Sequence, residues 1–305
     1  MKKILITGAN GLLGQKLVYM LLNDKNSQLI ATSKGENRIV EKAGYSYEEL
    51  DICNKNQVEK IFLKYLPDVV INTAAMTNVD ACETQKEEAF LLNVTAVQNM
   101  IDVIQSAKNN LQNCQLLHLS TDFIFDGEDG PYKETDIPNP LSYYAWTKNE
   151  SEKILQKSGL KWAILRTIII YGIVDNMSRS NVVLWAKDAL SKGQKINVVD
   201  DQFRSPTLAE DLAQACINCA NKGATGIYHV SGKDIMSILE LVYAVADFYK
   251  LDKSLINPIK SNTLNQTAKR PPRTGFILDK AIRELDYRPH SFSEGLAILD
   301  KQLKK

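Results

Sequence analysis

The chain of 305 residues is long enough for about two domains of ordinary size and for a substantial hydrophobic core. Hydrophobic residues make up 44% and charged residues 24%, which excludes a disordered chain and a small disulfide scaffold. The 37 Lys and Arg residues nearly balance the 36 Asp and Glu residues. With a net charge of +1, no nucleic-acid partner is expected.

The cysteines and the apolar runs bear on the compartment. Five cysteines are scattered along the chain, which favours a reducing environment. Cys216 and Cys219 lack the second ligand pair of a zinc site and are expected to pack as small buried side chains. The apolar run at the N-terminus stops at Thr7-Gly8, and no stretch reaches the ~20 apolar residues of a membrane span. We therefore predict a cytoplasmic protein with no metal site and no membrane contact.

Short apolar runs alternate with helical patterns through the first half of the chain. The predicted strands span residues 3–7, 28–32, 45–50, 68–72, 115–120 and 162–168. The predicted helices span residues 13–22, 56–65, 87–105 and 144–156. This alternation indicates an α/β fold with a doubly wound parallel sheet of the Rossmann-like type.

The pattern loosens after residue 172. Helices are predicted at 181–190, 208–220 and 238–249, and one short strand at 226–230 is expected to return to the main sheet. The polar segment 260–275 is either a loop around a ligand or plain surface. We expect residues 1–172 to form a cofactor-binding domain and residues 173–305 to form mostly a smaller substrate-binding lobe over the strand ends, where ligands bind in such folds.

Three glycines, Gly8, Gly11 and Gly14, follow the first strand at three-residue intervals. Such a turn lets the backbone approach a pyrophosphate, and the helix that follows offers free N–H groups and partial positive charge. The spacing differs from the common G-x-G-x-x-G, but its place between a strand and a helix supports a dinucleotide site. Asn10 and Leu12 complete the predicted contact surface.

The end of the second strand indicates which dinucleotide binds. An acidic residue there would hold the ribose 2′-hydroxyl of NAD. This chain has Ser33 and Lys34, followed by Arg38, with no acid before Glu36. A hydroxyl and two cations suit a 2′-phosphate, so NADP(H) is favoured, with NAD(H) possible. The alternative is that both cations are ordinary solvated charges.

Tyr144 and Lys148 are four residues apart and lie on one face of a predicted helix. A neighbouring cation is expected to lower the pKa of the phenol and let it exchange a proton with a carbonyl or alcohol oxygen. Thr121, at the end of a predicted strand, could hydrogen-bond the same oxygen, or merely cap a turn with Asp122. His118, His229 and His290 are too dispersed for a metal triad and are expected to be structural.

Several motifs follow in order along nearly the whole chain. They are Thr7-Gly-Ala-Asn-Gly-Leu-Leu-Gly14, Asn72-Thr-Ala-Ala-Met-Thr-Asn-Val-Asp80 with Glu83, Leu92-Asn-Val94, Ser120-Thr-Asp-Phe-Ile-Phe-Asp-Gly127, the Tyr144/Lys148 pair, Leu165-Arg-Thr167, Asp201-Gln-Phe-Arg-Ser-Pro-Thr207 and Arg270-Pro271. Together they resemble the extended short-chain dehydrogenase/reductases, most closely the branch that reduces dTDP-linked 4-keto-6-deoxyhexoses.

The resemblance implies that NADPH delivers hydride to the C4 ketone of a nucleotide-linked 6-deoxyhexose. It assigns proton donation to Tyr144, the nicotinamide ribose to Lys148 and the carbonyl to Thr121. Further cofactor contacts are implied for Asp51 and Ile52 at the adenine, for Ala74 and Ala75 along the channel, and for Asn93 in support. Substrate contacts are implied for Val79, Phe123, Arg204 and Arg270, with Arg204 at the nucleotide diphosphate.

Departures from the family pattern bear on the reaction, on the sugar and on how subunits could associate. Phe123 stands where related dehydratases carry a glutamate, which favours reduction over dehydration. Ile168-Ile-Ile170 replaces a run that usually contains tryptophan, so the sugar stays open. Lys16 stands where some bacterial members carry a Mg²⁺-binding glutamate, so a homodimer is possible but not a metal-linked one.

Two other functions stay open. One is a non-catalytic dinucleotide-binding regulator, since the regulatory subunit of methionine adenosyltransferase has a similar fold and keeps the glycine loop and the Tyr/Lys pair. The other is a reductase or epimerase of another UDP- or GDP-linked sugar.

Overall fold

The computed structural model describes residues 1–22, 24–177, 180–264 and 266–304. The strands are β1 Lys2–Thr7, β2 Ser27–Ser33, β3 Ser46–Glu49, β4 Val69–Asn72, β5 Gln115–Thr121, β6 Lys161–Thr167, β7 Ile170–Tyr171, β8 Ile196–Val199, β9 Phe203–Arg204, β10 Thr207–Leu208, β11 Gly226–His229, β12 Met236–Ser237 and β13 Ile256–Ile259. The α-helices are α1 Leu12–Leu21, α2 Lys55–Tyr65, α3 Val79–Thr84, α4 Lys86–Phe90, α5 Ala96–Ser106, α6 Lys108–Leu111, α7 Tyr143–Gln156, α8 Val182–Ser191, α9 Ala209–Lys222, α10 Ile238–Tyr249, α11 Asp279–Leu285 and α12 Phe292–Leu303.

Seven strands form one parallel sheet in the order β11-β6-β5-β4-β1-β2-β3. The order reverses direction at β1, as it does in doubly wound folds, so the predicted fold class is confirmed. β4 is buried along its whole length, as its unbroken apolar sequence predicts for a sheet covered on both faces. The strand predicted at 226–230 does return to this sheet, as β11 beside β6.

Two hydrophobic cores cover the two faces of the sheet. On one face, α1, α9 and α11 pack through residues such as Leu17, Leu212 and Leu285. On the other face, α2, α5 and α7 pack through residues such as Phe62, Met100 and Leu155. In the described parts of the chain, no helix is both long enough and apolar enough to cross a membrane.

A third core lies in the C-terminal half and joins α8, α10 and α12 with the β8–β13 ladder. The short pairs β7–β10 and β9–β12 were not predicted, because strands of two residues carry no periodic pattern. The sequence therefore underestimated the number of strands after residue 172. Because α9, β11 and α11 pack with the main sheet, the C-terminal half contributes to both units, and the boundary at residue 172 stays a prediction.

The prediction of one continuous helix over residues 87–105 is wrong. The structure divides it into α4, a wide π-helical segment Leu91–Thr95, and α5. Such wide turns inside helices are frequent at functional sites. This one turns Asn93 inward, where its amide bonds both the N–H and the carbonyl of Met76 and also the hydroxyl of Thr147.

Candidate active site

A cleft of about 630 Å³ opens at the carboxyl ends of the central strands. The residues that line it come from both halves of the chain, with the glycine loop at one end and the second half of the chain at the other. Of the predicted site residues, it brings together Asn10, Gly11, Leu12, Gly14, Ala74, Ala75, Val79, Thr121, Phe123, Tyr144, Lys148, Arg204 and Arg270. The lining does not include Gly8, Ser33, Lys34, Arg38, Asp51, Ile52 or Asn93.

The glycine loop is as tight as its sequence predicts. Gly8 has a φ of +68°, and a Cβ atom there would lie 2.8 Å from the backbone nitrogen of Ala74. A Cβ at Gly14 would lie only 2.4 Å from the carbonyl oxygen of Gly8. Helix α1 begins after Gly11 with no side-chain cap and no acidic residue in its first turn. Its first N–H groups are therefore available to an anion in the cleft.

Asn10 connects the glycine loop to the loop that follows β2. Its Nδ2 donates to the carbonyl of Glu36 at 2.8 Å, and its Oδ1 accepts from the N–H of Arg38 at 2.9 Å. The hydroxyl of Tyr47 donates to the carbonyl of Gly35 at 2.6 Å. These bonds fix the backbone of the segment that carries the cations predicted to bind a 2′-phosphate.

The predicted 2′-phosphate residues lie at the surface beyond the cleft lining. Nζ of Lys34 lies 2.8 Å from Oδ2 of Asp51, and the Lys34 side chain is 80% exposed. This ion pair raises the pKa of Lys34. Arg38 is exposed and Ser33 partly buried. Next to Asp51, the Ile52 side chain packs in the core beneath the sheet.

The ring of Tyr144 packs edge-on against that of Phe123, with ring centroids 6.2 Å apart, and its side chain lies beside that of Thr121. Burial raises the pKa of Tyr144, and the Thr121 side chain partly offsets that rise. The expectation that Lys148 lowers this pKa is wrong, because the lysine ammonium contacts His118. At neutral pH the phenol is therefore protonated.

Lys148 is buried in α7 behind Tyr144. Burial lowers its pKa to about 8. Its Nζ lies 3.1 Å from Nε2 of His118, whose own pKa is far below its usual value because of burial and the nearby lysine. No sequence pattern predicted this histidine in the site, and the pairing of β5 with its neighbours brings it there.

Thr121 caps a turn, as one of its two predicted roles requires, and its hydrogen bond to a reacting oxygen stays a prediction. Its hydroxyl caps the short 3-10 turn of residues 122–124, accepting from the N–H of Phe123, and also lines the cleft. The same hydroxyl donates to Oδ1 of Asp122 at 3.1 Å. The buried Asp122 carboxylate accepts from Thr274 and lies 3.7 Å from Nε of Arg204. Sequence reasoning missed this link to the C-terminal half.

The two arginines that were predicted to contact substrate both form contacts within the protein. Arg204 is 3% exposed, donates to the carbonyls of Phe203 and Pro271, and lies over the ring of Phe123. Arg270 forms a two-point contact with Asp80. Of the described residues in the polar segment 260–275, Arg270 lines the cleft, and the role of the segment as a loop around a ligand stays a prediction.

The parallel sheet, the glycine loop and the buried Tyr144/Lys148 pair define an extended short-chain dehydrogenase/reductase. The family model described as the RmlD substrate binding domain matches residues 1–304, and the chain belongs to that family.

Individual relatives agree with this assignment. The chain is 32% identical to the dTDP-4-dehydrorhamnose reductase of Aggregatibacter actinomycetemcomitans, over 97% of each protein. It is 31% identical to the methionine adenosyltransferase 2 subunit beta of Bos taurus, over 88% of this chain and 78% of that protein. The crystal structure of the Bacillus anthracis dTDP-4-dehydrorhamnose reductase in complex with NADP superposes with a TM-score of 0.81 at 25% identity, covering 99% of this chain and 100% of the other.

Proposed function

We propose that this protein is an oxidoreductase that uses NADPH to reduce the C4 ketone of a nucleotide-linked 4-keto-6-deoxyhexose, as the name of its reductase relatives indicates. The observation that carries the proposal is the buried contact of the Tyr144 hydroxyl with Thr121, inside a cleft that begins at the glycine loop. NADP(H) is the favoured cofactor, since one such relative is solved with NADP, and NAD(H) stays possible.

The residues present fit a dinucleotide. Gly8 and Gly14 leave no room for a Cβ, and the uncapped start of α1 faces the cleft with free N–H groups. When bound, NADPH supplies the hydride that the ketone carbon accepts. We assign the pyrophosphate to the start of α1, the 2′-phosphate to Lys34 and Arg38, and the nicotinamide ribose to Lys148.

Tyr144 is the proton donor in this proposal. Its raised pKa keeps the hydroxyl protonated at neutral pH, which is the form needed to give a proton to the carbonyl oxygen as that oxygen gains negative charge. The Thr121 side chain, whose hydroxyl donates to Asp122, lies beside the phenol and offsets part of the rise in its pKa. The phenolate left behind regains its proton from solvent.

The test is turnover. Purified protein is mixed with NADPH and dTDP-4-keto-6-deoxy-L-lyxo-hexose, and NADPH absorbance is followed. The proposal expects oxidation by wild type and its loss in Tyr144→Phe, with Tyr143→Phe as the matched control on the same helix. Persistent turnover in Tyr144→Phe would refute the assignment of the acid.

The identity with the methionine adenosyltransferase subunit, 31% against 32% for the reductase, keeps a second function in view. A regulator of that kind would bind the dinucleotide without turning over any nucleotide-linked ketosugar. Tight NADPH binding by wild type, together with no oxidation of NADPH in the presence of dTDP-, UDP- or GDP-linked 4-ketosugars, would favour the regulator.

A further inference from the structure

His118 connects the interior of the sheet to the proposed catalytic lysine. It lies within β5 and is 1% exposed. Its Nε2 is 3.1 Å from Nζ of Lys148 and 3.0 Å from the hydroxyl of Ser151. Its Nδ1 is 3.0 Å from Nδ2 of Asn72, whose Oδ1 accepts from the hydroxyl of Thr7 at 2.6 Å. The chain of contacts therefore runs from β1 through β4 and β5 to α7.

Few charges act on the Lys148 ammonium from the elements around it. On its own helix, Glu152 favours the charged form, but this carboxylate is held in a buried ion pair with Arg166 of β6. Thr7 and Asn72, from β1 and β4, are uncharged. Among the described residues, the hydrogen-bond partner of Nζ is the neutral imidazole of His118. Burying an ammonium group without a hydrogen-bond acceptor costs free energy, so this contact stabilises the charged form of Lys148.

The chemistry of the two groups fixes where the ring proton lies. An ammonium can only donate, so Nε2 of His118 accepts when Lys148 is charged, and the ring proton lies on Nδ1. A half-turn of the Asn72 amide would then present oxygen to that proton in place of the Nδ2 that faces Nδ1 in the structure. When Lys148 is neutral, it can accept from Nε2–H while the amide presents Nδ2 to Nδ1. The imidazole can thus partner either charge state of the lysine.

We propose that His118 is a positioning residue that holds Nζ of Lys148 and sustains its positive charge for contact with the nicotinamide ribose. The inference rests on the proposed function only in assigning that ribose to Lys148. It adds a residue from β5 to the Thr121, Tyr144 and Lys148 set.

Matched variants separate this role from simple packing. His118→Gln and His118→Met have similar size, and both lose the contact with Asn72, but only glutamine keeps an acceptor near the position of Nε2. His118→Asn keeps a polar group toward Asn72 and cannot reach Lys148. Thermal unfolding of each variant reports whether it is folded. Because there are three substitutions, the comparison remains possible if one variant does not fold.

The readout is NADPH affinity between pH 7 and 9.5, followed by the fluorescence of the bound cofactor. Wild type is expected to lose affinity with a midpoint near the lysine pKa of about 8. In His118→Met and His118→Asn the midpoint falls by about one pH unit, the size expected from losing one hydrogen bond to a charged group, whereas His118→Gln stays near wild type. The Cys53 thiol at the adenine end has a pKa near 11, outside this window.

Adenosine 2′,5′-bisphosphate, which lacks the nicotinamide ribose, is the matched probe, and its affinity is expected to show no such midpoint in any variant. Equal midpoints in all variants, equal shifts in Gln and Met, or a parallel shift for the bisphosphate would each overturn the inference. Failure of wild type to bind NADPH would overturn the proposed cofactor as well. Binding without turnover would overturn the proposed reduction alone.

Discussion

The hydroxyl of Thr274 donates a hydrogen bond of 2.5 Å to Oδ2 of Asp122, and both side chains are buried. Asp122 directly follows Thr121 at the end of β5, whereas Thr274 lies four residues after Arg270, which lines the second half of the cleft. Burial raises the pKa of Asp122, and the contacts with Arg204 and Thr274 oppose that rise. The bond thus ties the segment after Arg270 to the residue beside the proposed catalytic threonine.

We therefore expect Thr274→Val to lower the free energy of unfolding by about 1.5–3 kcal/mol, because a buried carboxylate loses a donor. Thr274→Ser keeps the hydroxyl and serves as the control, with a value closer to wild type. Urea unfolding monitored by tryptophan fluorescence measures both. Little loss in Thr274→Val together with a clear loss in Thr274→Ser would show that the methyl group of Thr274, not the hydrogen bond, provides the stability.

Lys34→Ala is expected to weaken NADPH binding by at least about tenfold and NADH binding far less, because the ammonium would face the 2′-phosphate. Lys64→Ala is the matched control, since Lys64 also forms an exposed ion pair with a carboxylate, that of Glu48, but away from the proposed phosphate. Isothermal titration with each cofactor gives the comparison. Equal losses for NADPH and NADH would contradict the assignment of the 2′-phosphate to this residue.

Lys148 is expected to destabilise the fold at neutral pH. Its pKa is about 8 in the folded protein against 10.5 for the free side chain. Between these values the native state binds fewer protons than the unfolded state, so stability rises with pH through this window, and below it the full cost remains. At about 1.4 kcal/mol per pH unit, the cost at pH 7 is at most about 3 kcal/mol.

Lys148→Met should therefore be inactive yet more stable than wild type at pH 7, with the difference shrinking toward pH 10.5. Lys153→Met, on the same helix but in an exposed pair with Glu150, should show no such pH-dependent gain. Denaturant unfolding at several pH values checks this. A variant less stable than wild type at every pH would mean that the contact with His118 outweighs the cost of burial.

The distances within the glycine loop predict effects of different size for two substitutions. A Cβ at Gly14 would lie 2.4 Å from the Gly8 carbonyl oxygen, and one at Gly11 would lie 3.2 Å from the same atom. Gly14→Ala should therefore separate α1 from the loop and abolish NADPH binding, whereas Gly11→Ala should stay folded and bind more weakly than wild type. Cofactor fluorescence and thermal unfolding measure both effects, and the reverse order would contradict the packing described for this loop.

The sequence by itself was sufficient to predict the main sheet and the glycine loop at one end of the cleft. Strands such as β1 and β4 have apolar runs, the three glycines of the loop lie close together along the chain, and Tyr144 and Lys148 are four residues apart. Local patterns of this kind fix local geometry, because hydrophobic periodicity and turn chemistry act over a few residues. The return of β11 to the sheet was also within reach, since its apolar run is bounded by a glycine.

Only the tertiary structure decided the environment of the reactive groups. Burial sets the pKa values of Tyr144 and Lys148, and burial depends on which elements cover them. His118 meets Lys148, and Thr274 meets Asp122, through strand pairing and loop closure between distant segments. The type of each of these side chains determines what it can donate or accept, but not which residue it bonds. The partner is chosen by the packing of the whole chain, which no single stretch of sequence contains.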